Sequence, residues 1–280
     1  MQVINTITQL QDYLQKGRAE GKSIGLVPTM GALHEGHASL VKRSVSENDI
    51  TVVSIFLNPT QFNDPKDLER YPRTLENDCT ILEQCGAQIA FAPSVSEIYP
   101  EPDTRQFSYP PTDSVMEGAR RPGHFNGVCQ IVSKLFLMTD PDRAYFGEKD
   151  YQQIAVIRRM VEDLKFKVNI IPCPVVREED GLAMSSRNTL LSQEEKEIAP
   201  NIYRILKESK TLGLPIEETQ KWVVSQINAI EGLEVEYYSI VDGDTLAEIS
   251  DWSQAPSVVG CITVYCGKTP IRLIDHIRYK

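Results

Sequence analysis

The first two thirds of the chain alternate between two hydrophobic periods. Residues 6–16 place Ile7, Leu10, Tyr13 and Leu14 on one face at helical spacing. Residues 23–27 form a short apolar run that predicts a buried strand, and residues 36–48 return to helical spacing with Leu40, Val41, Ser44 and Val45 inward. Residues 49–56 are apolar on both faces, as in a parallel strand covered by helices. The alternation continues with helices over 74–85, 125–139 and 151–164 and strands over 88–91, 144–146 and 168–171. It predicts an α/β fold built on a doubly wound, Rossmann-like parallel sheet.

After Pro172 and Pro174 the pattern changes. A charged loop over 177–181 is followed by helical patterns over 193–212 and 216–230, and Pro215 suits the first turn of the second. Antiparallel-looking strands over 233–241, 257–266 and 270–274 follow, with a turn signal at Cys266-Gly267-Lys268-Thr269-Pro270. The expected organisation is a Rossmann-like domain over 1–175 and a smaller α+β domain over 176–280, the boundary falling near 174–182. No internal repeat or low-complexity segment interrupts it, and residues 100–111 read as loop.

Composition narrows the function classes. A hydrophobic content of 41% and a charged content of 24% are those of a globular protein. No apolar run of about 18 residues predicts a membrane span, and the first residues lack the basic and apolar regions of a secretory signal. The net charge of −10 argues against a nucleic-acid track but not against a small anionic substrate held locally. The six cysteines, Cys79, Cys85, Cys129, Cys173, Cys261 and Cys266, form no C-x-x-C pair, which disfavours zinc and dithiol chemistry. Scattered single cysteines fit a reducing compartment, so a cytoplasmic location is expected.

Candidate chemistry gathers at the strand ends, where open α/β sheets bind ligands. After the strand over 23–27 comes P-T-M-G-A-L-H-E-G-H at 28–37, which sets His34 and His37 at a helix start among glycines. Unpaired N–H groups and the helix dipole favour an anion there, and imidazoles add donors. Spacing alone leaves phosphate binding, a structural role and half a metal site all open. After the second strand come Asn58 and Gln61, amides that suit either a plain turn or recognition of a polar substrate. Gly147 and Lys149 follow the strand over 144–146 and can cradle phosphate. Ser185, Ser186 and Arg187 follow the last strand of the sheet. Ser192 begins a capping box for the next helix, which leaves the two serines freer for another role. Residues 118–127, glycine-rich and basic, read either as another anion-facing loop or as a turn capped by Asn126. The four clusters that follow strands, gathered at one sheet edge, are a stronger signal than any one of them.

Taken together, the motifs at 28–37, N-P-T-Q-F at 58–62, R-P-G-H-F-N-G-V at 121–128, F-G-E-K-D-Y-Q-Q at 146–153 and D-G-L-A-M-S-S-R-N at 180–188 resemble the pantoate–β-alanine ligase (pantothenate synthetase) family, in order and along nearly the whole chain. By that resemblance His34-Glu35-Gly36-His37 corresponds to the H-I-G-H signature of a nucleotidyltransferase superfamily. Met184-Ser185-Ser186-Arg187-Asn188 stands where class I aminoacyl-tRNA synthetases carry K-M-S-K-S, with serines and an arginine in place of paired lysines.

The resemblance implies condensation of pantoate with β-alanine through a pantoyl adenylate made from ATP, with release of pyrophosphate and AMP. It implies catalytic roles for His37, His34 and Lys149, His37 protonating or hydrogen-bonding the departing pyrophosphate. It implies ATP contacts from Met30, Gly31, Ala32, Leu33, His34, Glu35, Gly36, His37, Gly147, Glu148, Lys149, Asp150, Val176, Met184, Ser185, Ser186 and Arg187. Pantoate contacts are expected from Gln61, Gln153 and Asn58. Mg²⁺ is expected on the phosphates with Asp78 nearby, and a homodimer is expected. Two rival readings are a tRNA synthetase-like enzyme and a nucleotide-binding module without chemistry. The net charge and the absence of a tRNA-binding module oppose the first, and the intact His34, His37, Lys149 and Arg187 oppose the second.

Overall fold

The computed structural model describes residues 1–63 and 65–280. Its strands are β1 (Gln2–Ile4), β2 (Ile24–Thr29), β3 (Ile50–Ile55), β4 (Ile89–Phe91), β5 (Arg143–Gly147), β6 (Asn169–Cys173), β7 (Leu233–Asp242), β8 (Val258–Cys266) and β9 (Ile271–Arg278). Its helices are α1 (Ile7–Ala19), α2 (Glu35–Glu47), α3 (Pro65–Arg70), α4 (Leu75–Cys85), α5 (Val95–Ile98), α6 (Met116–Arg120), α7 (His124–Thr139), α8 (Tyr151–Asp163), α9 (Gln193–Ile198), α10 (Asn201–Ser209) and α11 (Ile216–Asn228).

The first six strands form one parallel sheet in the order β1-β4-β3-β2-β5-β6. Successive side chains of a strand point to opposite faces, and here both sets are apolar. Leu26, Val52 and Ile89 enter a core built with α1, α7 and α8, while Val27, Val53 and Ala90 enter a second core built with α2 and α4. This is the doubly wound α/β arrangement that the alternation predicts. β7, β8 and β9 form a separate antiparallel sheet, packed against Ile202, Ile205 and Leu206 of α10 and Val223 and Ile227 of α11.

The differences from the sequence reading have local causes. Residues 193–212 are not one helix: Pro200, which has no N–H to donate, separates α9 from α10. β1 was not foreseen; three residues are too few to show a period, and its parallel pairing with β4 is long-range. β9 runs to Arg278, four residues beyond expectation, because it pairs with β8 along its whole length. Asn126 does not cap α7. The cap position is Gly123, at φ 82°, and the Asn126 Oδ1 instead accepts from the Phe107 N–H at 2.8 Å.

The two sheets meet through a small apolar cluster, including Met116, Ala155, Val241 and Val259, and through a buried ion network. Glu117 of α6 receives a bidentate pair from Arg272 of β9, at 2.6 and 2.7 Å, with Tyr237 and Thr263 hydroxyls at 2.8 and 2.9 Å. Burial alone would raise the Glu117 pKa. The combined effect of Arg272 and the two hydroxyls outweighs it and holds the carboxyl down at about 2. The carboxylate is thus ionised at neutral pH and fastens α6 to the antiparallel sheet.

Candidate active site

Strand order in the parallel sheet reverses between β2 and β5: β3, β4 and β1 lie on one side, and β5 and β6 extend the other. A crevice opens at the carboxyl ends of the strands on either side of such a switch. The His34–His37 junction leaves β2 there, and Gly147 to Asp150 leave β5 directly opposite. A cavity of about 200 Å³ lies between them, lined in part by Met30, His34, His37, Gln61, Lys149 and Gln153.

The histidine junction is held by a continuous set of hydrogen bonds. The Thr29 hydroxyl donates to the Ser54 carbonyl at 2.6 Å and accepts from the Gly31 N–H at 3.2 Å. Gly31 and Ala32 both take left-handed backbone, at φ 83° and 52°; glycine carries no steric cost there. The Asp78 carboxylate of α4 then accepts from the Ala32 and Leu33 N–H groups, at 3.1 and 2.8 Å, and from the Thr74 hydroxyl at 3.1 Å.

His34 occupies the cap position of α2. Its Nδ1 accepts from the Gly36 N–H at 3.1 Å, and the His37 Nδ1 accepts from the His34 N–H at 3.4 Å, a reciprocal capping box. Backbone N–H groups only donate, so the hydrogen-bond pattern assigns both Nδ1 atoms as acceptors and both protons to Nε2. A side chain at 36 would bring a Cβ within 2.7 Å of the His34 Cε1, so glycine is required for the ring to fold back. Burial, with Lys149 next, lowers the His34 pKa to about 4; burial, then His34 and Lys149, lowers that of His37 to about 3. Both imidazoles are therefore neutral at pH 7 and act as hydrogen-bond donors. Of the two roles expected for His37, donation of a hydrogen bond fits this state and protonation does not.

Several residues expected to touch ATP serve as frame instead. The N–H groups of residues 31–33 are already engaged by Thr29 and Asp78, and the Leu33 side chain is buried in the core beneath. Glu35 points away from the cavity to an exposed ion pair with Lys42 at 3.8 Å. Glu148 reaches Arg278 of β9 at 3.2 Å. Asp78 is corrected as a metal ligand: it is 1% exposed, and both oxygens are taken by donors. Among the described residues no group of three or more His, Cys, Asp and Glu side chains is placed to hold a metal ion.

The amide pair expected after β3 divides in the same way. Asn58 is 1% exposed and saturated. Its Nδ2 donates to the Gln61 Oε1 at 3.0 Å and the Gly127 carbonyl at 3.1 Å, and its Oδ1 accepts from Thr60 and from the Tyr99 hydroxyl at 2.9 Å. Asn58 lines the cavity as well, but its polar atoms are engaged within the fold, so it acts as a support for Gln61. It fixes the Gln61 oxygen and leaves the Gln61 Nε2 in the cavity, 3.1 Å from the Met30 Sδ. Gln153 of α8 also lines the cavity and forms no hydrogen bond among the described residues, so its amide is open to a ligand. The apolar face of α7, with Val128, Ile131, Val132 and Leu135, forms the wall beside these amides. The strong helical period of 125–139 foretold that face but not what it lines.

Val176 and Met184 complete the first cavity, while Ser185, Ser186 and Arg187 line a neighbouring cleft of about 810 Å³. Tyr71, Lys149 and Asp150 belong to both. The Ser185 hydroxyl accepts from the Arg187 N–H at 3.3 Å, and the Ser186 and Tyr71 hydroxyls are 3.2 Å apart. Arg120 and Arg121 also face this cleft, and no motif of the chain had singled out Tyr71. The loop is anchored through Arg177, which pairs with Asp275 of β9 at 2.6 and 2.9 Å and lies over the Tyr203 ring at 3.5 Å.

A parallel sheet with a topological switch, paired imidazoles at one helix start and a lysine at the next strand end define an α/β enzyme of the H-x-G-H nucleotide-binding class. The comparisons narrow this. The family model for pantoate-beta-alanine ligase matches residues 2–278, and the chain belongs to that family. It is 63% identical to the pantothenate synthetase of Bacteroides thetaiotaomicron over 282 residues, covering 100% of this chain and 99% of the relative. Among solved structures it is similar to the pantothenate synthetase of Thermus thermophilus, at 42% identity and a TM-score of 0.93, covering 100% of this chain and 99% of that one. It is also similar to the Francisella tularensis pantoate-beta-alanine ligase complexed with beta-gamma ATP and beta-alanine, at 36% identity and a TM-score of 0.83, covering 100% of this chain and 98% of that one.

Proposed function

We propose that this enzyme joins pantoate to β-alanine at the expense of ATP, through a pantoyl adenylate, releasing pyrophosphate and then AMP. The observation that carries the reading is the pairing of two donor-only imidazole edges with Lys149 across the β2–β5 crevice, beside open amides and an apolar wall. Pantoate's carboxylate is ionised near neutral pH and needs no base to attack the α-phosphorus. The protein's task is then to align the two reactants and to stabilise charge on the phosphates.

In this reading the Nε2–H groups of His34 and His37 donate to the triphosphate, and Lys149 offsets the charge that builds as pyrophosphate leaves. Gly147, Asp150, Met30, Val176 and Met184 frame the nucleotide, and Ser185, Ser186 and Arg187 meet the outer phosphates from the neighbouring cleft. The Gln61 and Gln153 amides take the hydroxyls and carboxylate of pantoate, whose two methyl groups suit the α7 face. Magnesium enters as part of the substrate, MgATP, with no cage of three or more protein ligands among the described residues. The reading extends to a division at 175/176 with the C-terminal part acting as a lid, to a cytoplasmic location and to a homodimer. ATP-dependent protection of residues 180–190 from proteolysis checks the lid, and light scattering checks the dimer.

The direct test follows AMP formation from ATP, Mg²⁺, pantoate and β-alanine. The expected result is AMP that depends on pantoate and carries ¹⁸O transferred from the pantoate carboxylate. AMP formation indifferent to pantoate, or dependent on an amino acid and tRNA, overturns the reading.

A further inference from the structure

His124 opens α7 and is 8% exposed. It does not line the main cavity, and both its ring nitrogens are engaged. The Nδ1 is 2.8 Å from the Gln61 carbonyl oxygen, which can only accept, so Nδ1 carries the proton. The Nε2 is 3.3 Å from an Arg121 guanidinium nitrogen, which can only donate, so Nε2 accepts. This arrangement requires a neutral ring; burial, with the Arg121 charge next, lowers the His124 pKa to about 4. One turn later Gly127 completes the seat. A Cβ at 127 would overlap the Thr60 carbonyl and lie 2.7 Å from the Gln61 Cα, so glycine alone lets α7 press directly on the turn over Pro59–Gln61. The Gly127 carbonyl accepts from Asn58, which in turn holds the Gln61 side-chain oxygen. The opening of α7 therefore grips Gln61 at three points: its carbonyl, its Cα and, through Asn58, its amide.

We propose that His124 is a positioning residue for Gln61, its Nδ1–H fixing the backbone from which the Gln61 amide enters the substrate cavity. This gives the G-H-F-N-G segment at 123–127 a role in pantoate recognition without contact to any substrate. Neither imidazole nitrogen of His124 is left for a phosphate, so any anion contact of this segment falls to Arg120 and Arg121, which face the neighbouring cleft. The proposal rests on the reading of Gln61 as a pantoate contact.

The test is pantoate-dependent pyrophosphate release by His124→Phe, His124→Asn, Gln61→Ala and the Phe/Ala double variant, each with its melting curve. Asparagine places an amide N–H near the position of Nδ1–H; phenylalanine keeps the ring and loses the donor. His124→Phe is expected to lower kcat/KM for pantoate roughly 10–100-fold with the ATP KM within about 3-fold, as a displacement near 1 Å would. His124→Asn is expected to recover to within about 5-fold, and His124→Phe to cost less than about 2-fold more once Gln61 is alanine, because the two act on one element. If Phe prevents folding, His124→Gln, whose amide reaches the Nε2 position instead, takes its place. The proposal is overturned if Asn is no better than Phe, if the losses multiply in the double variant, or if the ATP KM rises in step. A normal pantoate KM in Gln61→Ala would refute the pantoate contact and the relay together. A defective Gln61→Ala beside a silent His124→Phe would refute the relay alone.

Discussion

The two phosphate-facing segments, residues 28–37 and residues 180–188, are built in opposite ways. The first belongs to the parallel sheet and is nearly saturated: the N–H groups of residues 31–33 and of 34 and 36, and both imidazole Nδ1 atoms, have partners inside the segment or on Thr29 and Asp78. Among the groups of this segment left without a partner are the two Nε2–H edges. The second segment is a loop outside both sheets, tied to the antiparallel one. It is anchored at its base by Arg177 and Asp275, while its tip meets the first half of the chain at Ser186 and Tyr71. One wall is preorganised, and the other is held at its root. Preorganised donors stabilise developing charge without reorganisation at the moment of reaction, so the larger share of catalysis belongs to the first wall.

The largest effect should come from His37→Ala, which removes a donor edge of the fixed wall. Adenylate formation is expected to fall on the order of 10²–10³-fold with an unchanged fold, the loss of one preorganised donor, read by pantoate-dependent pyrophosphate release and circular dichroism. Near-normal turnover would erase the distinction between the walls. Asp78→Ala should come next. It strands two buried N–H groups at a cost of about 2–4 kcal/mol, read by urea unfolding, and it should weaken ATP use because the frame loosens. Rescue by excess Mg²⁺ would instead return Asp78 to a metal role. Ser186→Ala should be the smallest, raising the ATP KM less than about 10-fold, since one hydroxyl contact is worth about 1 kcal/mol net. A loss as deep as that of His37→Ala would mean that the anchored loop, not the junction, carries the chemistry.

Most of the fold was legible because β2, β3 and α7 carry strong local periods. What escaped was set by long-range partners or by a single residue: the pairing of β1 with β4, the break at Pro200 and the extension of β9 along β8. The site was legible in outline because its residues follow strand ends. Sequence cannot show which polar groups are already satisfied. Asn58 and Gln61 are both amides in one motif and both line the cavity, yet the polar atoms of Asn58 are engaged by the fold while the Gln61 Nε2 reaches only the Met30 sulfur. The resemblance set Asp78 near the magnesium and Glu148 at the nucleotide, but their oxygens hold backbone N–H groups and Arg278. His124 and Gly127 sat in a segment read for charge, and the close approach that gives them meaning exists only in three dimensions.

The central claim is that His34 and His37 are neutral imidazoles presenting Nε2–H to the cavity. Nitrogen-15 NMR of histidine-labelled enzyme measures this directly, as the tautomer and charge of each ring across pH. A histidine whose folded pKa is lowered by burial costs nothing above the unfolded value near 6.5, where both states are neutral; stability is then lost as pH falls from about 6.5 towards about 4 for His34 and about 3 for His37. The prediction is two rings neutral and protonated on Nε2 from pH 8 down to pH 5, roughly the window below 6.5 that those pKa values leave, with both Nε2–H resonances shifting when an ATP analogue is added. Imidazolium rings near pH 6.5, or protons on Nδ1, would contradict it.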